Sequence, residues 1–235
     1  MKSYDHCEFE WERSAFAQFE HALPGHPGAE FYPSFQLFDE SKKVYLEVDL
    51  LMIGSAFCAV VELKHWRGVI QIQPNAWSRG SRFVDDPHYL NLRKCKVLKS
   101  TIQQILPAVQ HLPFVHSIVV LTHPDAEVDG DDRATAVLAS GNNQAQITFH
   151  GILEFADYIR KRLGHDRQHG KELLKSSDFD RLTRQFDAWF RRSRPDYTDQ
   201  IPGYRITQEI EHAHNACVYL AEQIPRNASK VTLCL

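Results

Sequence analysis

Asp49, Glu62 and Lys64 are the residues whose types and spacing could do chemistry together. They lie in two apolar runs, Val44–Met52 and Phe57–Lys64, that carry charges where charges are costly. Side chains alternate along a strand, so Glu62 and Lys64 project from one face, and Glu47 shares a face with Asp49. A hairpin of the two runs, turned at Gly54-Ser55, brings Asp49 beside the Glu62/Lys64 pair. Two carboxylates offer oxygen ligands to a hard divalent cation, magnesium or manganese. A neighbouring lysine orients a water or neutralises charge developing on a phosphate. The set suits phosphodiester hydrolysis. The competing reading is an amphipathic hairpin with its charges in solvent, since Asp-x(12)-Glu-x-Lys often arises by chance. Leu50-Leu51-Met52 and Ala59-Val60-Val61 weigh against that, because near-continuous apolar strands belong to a sheet covered on both faces.

The flanking elements must position these groups. Phe9–Leu23 reads as a helix ended by Pro24-Gly25, with Phe16, Phe19 and Leu23 on its apolar face. Glu12 falls on that stripe, either as a third acid of the site or as a satisfied, snorkelling carboxylate. Gly25–Pro33 reads as a loop, Phe35–Phe38 as a short strand and Val69–Ile72 as a strand after Trp66-Arg67-Gly68. Trp77 is expected to pack on the sheet, and Arg79–Asp86 reads as a polar loop. Arg79, Arg82, Arg93, Lys94, Lys96 and Lys99 form a basic cluster, read as a grip on phosphates or as a solvated face. His88–Val109 reads as a helix buried through Val97, Leu98, Thr101, Ile102 and Ile105, with Asn91 and Lys94 placed to look toward the site. Val115–Thr122 is a buried strand, Asp125–Arg133 an acidic loop without the ligand spacing of a calcium-binding loop, Gln146–Phe149 a strand and Gly151–Leu163 a helix. This order implies an α/β fold, a mixed central sheet flanked by helices.

Glu47-Val48-Asp49-Leu50-Leu51, Val60-Val61-Glu62-Leu63-Lys64, Gly68-Val69-Ile70 and Trp77 together resemble the nuclease-related domain, a family of the PD-(D/E)xK nuclease superfamily. The resemblance runs from about Glu8 to about Thr122. It implies a restriction-endonuclease-like fold and a magnesium- or manganese-dependent deoxyribonuclease. Asp49 and Glu62 would be metal ligands, Glu12 a further one, and Lys64 the catalytic lysine. It also implies DNA as partner, whose backbone the basic cluster at Arg79, Arg82, Arg93 and Lys94 could hold, and a role in defence against foreign DNA. The chain departs from the family where Asp86-Pro87 replaces Asn-Pro, and where the usual glutamine falls near Leu90 and Asn91. A nuclease-fold DNA-binding module without catalysis is therefore the alternative.

The remaining chain sets bounds. At 235 residues, with 43% hydrophobic and 24% charged, it has ample core for one large domain with an appendage. A net charge of −3 excludes a wholly cationic nucleic-acid binder but not a local basic groove. Five cysteines without C-x-x-C point to reduced thiols and a cytoplasmic protein, and no apolar run is long enough to span a membrane. His165 and His169 have helical ligand spacing, but flanking glycines favour a loop. Residues 1–163 read as the nuclease-like domain and 164–200 as a helical appendage. In the appendage Phe179, Leu182, Phe186, Trp189 and Phe190 form an apolar stripe expected to dock. Residues 201–235 read as three short strands resembling the opening of a kinase small lobe, or as a disordered tail. Partners held open are a homodimer and a linked or associated kinase domain.

Overall fold

Runs of Val, Leu and Ile with no polar face become the middle of a sheet. β2 (Val44–Gly54), β3 (Phe57–Lys64) and β7 (Phe114–Leu121) are such runs, and Leu50–Ile53, Cys58–Val61 and Ile118–Val120 are fully buried. The computed structural model describes residues 2, 7, 9–25, 28–73, 76–80, 82–129, 137–138, 145–168, 174–192, 204–213, 216–223 and 230–234. The chain divides into two compact units, Met1–Asp187 and Ala188–Leu235.

In the first unit, β1 (Ala29–Asp39), β9 (Val137–Leu138) and β10 (Ala145–His150) complete a sheet of order β1-β2-β3-β7-β10-β9. β1, β2 and β3 pair antiparallel, whereas β3–β7 and β7–β10 are parallel, so the sheet is mixed. A second sheet has the order β6-β5-β4-β8, from β4 (Gly68–Gln73), β5 (Ala76–Arg79), β6 (Arg82–Val84) and β8 (Ala126–Asp129). Its Ile70 and Trp77 close over Val119 and Leu121 of β7, so Trp77 packs as expected. The helices are α1 (Glu10–Ala22), α2 (Pro87–Ile105), α3 (Ile152–Gln168) and α4 (Ser176–Arg192). Phe16 and Phe19 of α1 and Phe155 and Ile159 of α3 share one core with Leu50, Val61, Ile118 and Val120. α2 lies on the other face, where Asn91 bonds β3 and β7. This is the α/β fold of mixed sheet flanked by helices, consistent with the restriction-endonuclease-like expectation.

Several expected loops are strands. β1 begins at Ala29, inside the expected Gly25–Pro33 loop, and Pro33 is tolerated because β1 is an edge strand. Arg79–Asp86 contains β6, and Asp125–Arg133 contains β8. These segments are too polar to read as strands; a parallel pairing of β8 with β4 and a short hairpin hold them. His165 lies in α3 rather than a loop, because the helix runs through Gly164, and His169 falls outside the described residues. Gly54 is required at the β2–β3 turn, where a Cβ would collide with the Phe57 carbonyl.

Ser34 of β1 has φ 45°, a left-handed conformation that costs a serine about 1–2 kcal/mol. It shifts the alternation of faces. Phe31 joins the core beneath α1 and α3, while Tyr32 and Phe35, three apart, both meet Phe186 of α4. The Tyr32 hydroxyl donates to Asp187 Oδ1 at 2.9 Å. Leu182 and Phe186 are wholly buried, so this part of the expected apolar stripe docks. In the second unit, β11 (Tyr204–Ala213), β12 (Ala216–Gln223) and β13 (Lys230–Cys234) form an antiparallel sheet in sequence order, where three strands were expected. Among the described residues, no helix is long and apolar enough to cross a membrane.

Two predictions follow from this packing. Phe186→Ala should cost about 3–5 kcal/mol in denaturant unfolding, whereas Arg184→Ala, on the exposed side of α4, should stay within about 0.5 kcal/mol. Equal effects would contradict the docking. His116 is buried edge-on to Phe57, and neither ring nitrogen has a partner among the described residues. Burial, helped by the Arg162 charge and opposed by Asp166, lowers its pKa to about 4. The unfolded chain, at an ordinary 6.5, protonates first, so this contribution is whole above pH 6.5 and is lost as pH falls toward 4. His116→Phe should flatten that acid slope and add about 1 kcal/mol at pH 7. Urea midpoints across this range measure both, and an unchanged slope would refute the assignment.

Candidate active site

β2 and β3 pair only as far as Leu50–Val61. Beyond that pair β2 continues beside β1 to Val44, and β3 beside β7 to Lys64, so the two strands part. Asp49 stands at the fork. Its Oδ2 accepts the Leu63 amide at 2.6 Å, so a side chain satisfies a donor left without a β2 carbonyl. Glu62 is next on β3, only 9% exposed. Its Oε1 accepts Lys64 Nζ at 2.6 Å, and its Oε2 accepts Lys94 Nζ at 2.7 Å. Lys64 Nζ also lies 6.0 Å from the centre of the Trp66 ring.

The electrostatics of the two acids diverge. Burial and the charge of Glu62 raise the Asp49 pKa, against the Leu63 amide and the two lysines. Burial also works against ionised Glu62, but the Lys94 and Lys64 ammoniums outweigh it and hold the carboxyl below its usual range. Two acids and two ammoniums converge, and Glu62 is firmly ionised while Asp49 resists ionisation.

α2 supplies Lys94. Asp86 caps it, accepting the His88 amide at 2.9 Å, with Pro87 at the first helical position. The His88 ring then bridges Ser117 of β7 at 2.9 Å and Thr148 of β10 at 3.0 Å. One turn on, Asn91 Nδ2 donates to the Val60 and Ile118 carbonyls at 3.4 and 3.2 Å. Asn91 Oδ1 has no partner among the described residues. The residue near the expected glutamine position thus pins α2 to the sheet, and Lys94, three residues on, is the α2 side chain that reaches the acids.

The other predicted residues are placed differently. Arg93 donates through Nε and Nη2 to Asp39 Oδ2 at 3.2 and 2.8 Å. Ser41 foremost, and Arg93 with it, hold Asp39 down to about 2. Arg79 and Arg82 are exposed and face each other across the β5–β6 pair. Glu12 is half-buried on α1. It is not gathered with Asp49 and Glu62: no group of three His, Cys, Asp or Glu side chains among the described residues could hold a metal ion. Glu47 is exposed opposite Gln36. As a donor set, Asp49 and Glu62 fit a hard divalent cation in kind, with water completing the shell. Both Glu62 oxygens, however, already hold an ammonium.

Lys94, expected on phosphate and placed by its spacing from Asn91 to look toward the site, is bonded there to Glu62, a pairing not expected. The signal was present in the 88, 91, 94 spacing, which places three polar residues on the sheet side of one helix.

Residues 8–122 match the family model of the nuclease-related domain. That span covers both acids, both lysines and α2, and it ends just after β7. The match supports a nuclease-related function for this part of the chain. No curated protein and no solved structure matches the chain.

The two acids should respond oppositely to neutralisation. Glu62→Gln leaves two mostly buried ammoniums uncompensated and should cost about 3 kcal/mol. Asp49→Asn keeps an acceptor for Leu63 and removes a charge that burial disfavours. Because the folded pKa of Asp49 is raised, its ionisation costs stability as pH rises. The Asn variant should therefore be neutral or up to about 1 kcal/mol more stable at pH 8, with the difference vanishing in acid. Denaturant unfolding at the two pH values measures this, and destabilisation by both variants would contradict the assignment.

Proposed function

We propose that the Met1–Asp187 unit is a divalent-metal-dependent deoxyribonuclease centred on Asp49, Glu62 and Lys64. The observation that carries this reading is their convergence, with Lys94, at the fork of β2 and β3, inside the span that matches the nuclease-related domain. Asp49 and Glu62 would hold magnesium or manganese. When bound, the cation supplies Lewis-acid stabilisation of charge on the attacked phosphate. Lys64, released from Glu62, orients the attacking water or screens the phosphate. Lys94 keeps Glu62 ionised and aimed. Arg79 and Arg82 take the DNA backbone, where exposed guanidinium groups make salt-dependent contacts.

The saturation of Glu62 by two ammoniums favours one further reading, a DNA-binding module of the same fold without catalysis. A kinase partner and a role in defence against foreign DNA rest on the sequence resemblance alone.

Cleavage of supercoiled plasmid and of single-stranded DNA with magnesium, manganese or chelator separates the two. We expect metal-dependent cleavage that falls at least about a hundredfold in Lys64→Ala and in Asp49→Ala. Cleavage that survives both changes would remove the site. Salt-sensitive DNA binding with no cleavage under either metal would select the binding module.

A further inference from the structure

β3, β7 and β10 run parallel, and their carboxyl ends emerge together at Lys64, Leu121 and His150. Ligands of α/β sheets gather at such ends. A cavity of about 360 Å³ opens there, within the roughly 300–1,000 Å³ typical of small-molecule sites. Gln18, Thr122, His123, Pro124, His150 and Leu153 are among its lining residues. It is coupled to the acidic site through the backbone, since the Thr122 amide donates to the Lys64 carbonyl at 3.0 Å.

His123, which lines the cavity, is the end of a run of rings. His65 and His123 lie 4.7 Å apart between centroids. Trp11 stacks on His65 at 5.0 Å and 13°, and Phe9 stacks on Trp11 at 5.9 Å and 18°. The His65 and Thr122 side chains bond at 3.1 Å. The Asp125 amide donates to His123 Nδ1 at 3.0 Å, so the neutral ring carries its proton on Nε2. A flat wall of His123 and Pro124, edged by an amide, a hydroxyl and an imidazole, suits a flat heterocycle with polar edges.

We propose that this cavity receives one unpaired nucleobase of a DNA strand, stacked against the His123 ring, and so selects single-stranded or frayed DNA for the neighbouring Lys64 site. The proposal rests on the nuclease-fold reading above and specifies its substrate. A base inside a duplex has both faces covered and its pairing edge occupied, so it can enter only by leaving the stack, at a cost a single strand does not meet. Stacking on side-chain rings supplies sequence-tolerant affinity.

The test is a chelator-containing titration of the full chain with a 2-aminopurine-labelled single strand and with the same sequence as a blunt duplex. We expect the single strand to bind at least about tenfold more tightly, with quenched fluorescence. His123→Ala should weaken single-strand binding about tenfold and relieve the quench, whereas His123→Phe should retain both. Gln18→Trp, which fills the cavity from an exposed position of α1, should repeat the loss without removing a ring. It decides the question should His123→Ala fail to fold. Duplex binding as tight as single-strand binding, or unaltered binding in His123→Ala and Gln18→Trp, would overturn the proposal. In that event metal-dependent duplex cleavage would leave the nuclease reading standing. Absence of binding to either DNA, together with absence of cleavage, would overturn both.

Discussion

A carboxylate in the middle of a buried sheet must be compensated, and Glu62 is that carboxylate. Its strand neighbours Val61 and Leu63 are buried, as is Val119 beside it on β7. Left alone, its ionised form would cost several kcal/mol. Lys64 compensates from the same strand, two residues on, and Lys94 from a helix packed across the face. The second contact demands that α2 approach the sheet at one register. The Asp86 cap, the His88 bridge to two strands and the Asn91 bonds to two more carbonyls fix that register before Lys94 reaches Glu62.

The fork of β2 and β3 is the complementary requirement. If the two strands stayed paired to their ends, β2 backbone would occupy the place of the Asp49 carboxylate. The parting exposes the Leu63 amide, and Asp49 answers it. On the other side of β2, the left-handed Ser34 sits across from Asp49, between the Pro33–Leu50 and Phe35–Val48 pairs. Strain in a non-glycine residue persists only where surrounding structure enforces it. Here that structure is the change of face, which sends Phe31 to one core and Phe35 to Phe186 on the other.

The central sheet was legible because its signal is dense. Long β-branched and leucine runs with charges at their ends gave β2, β3 and β7 to within a residue or two, and strand alternation placed Glu62 beside Lys64. β6 and β8 were not legible, because their residues are polar and their pairing is supplied by partners remote in sequence. Arg93 and Lys94 both belong to the basic cluster, and spacing turned only Lys94 toward the site; tertiary packing puts Arg93 on Asp39 and Lys94 on Glu62. Glu12 sits on an amphipathic stripe as read, but helical periodicity fixes a direction and not a reach, and the acid is not gathered with the other two. The ring stack was invisible because Phe9, Trp11, His65 and His123 come from three separate segments.

The end of β3 also explains how charge and rings can sit so close without interfering. Consecutive residues of an extended strand point to opposite faces. Lys64 therefore turns toward α2 and the Glu62 carboxylate, and His65 toward Trp11 of α1. Lys64, at the end of β3, is half-buried against an acid, whereas His65, just past it, is exposed among rings. The Thr122 amide holds that end in place through the Lys64 carbonyl, so displacement of the lysine backbone would disturb both faces together. The proposed substrate, a strand of nucleic acid, divides the same way, with phosphate on one side and base on the other.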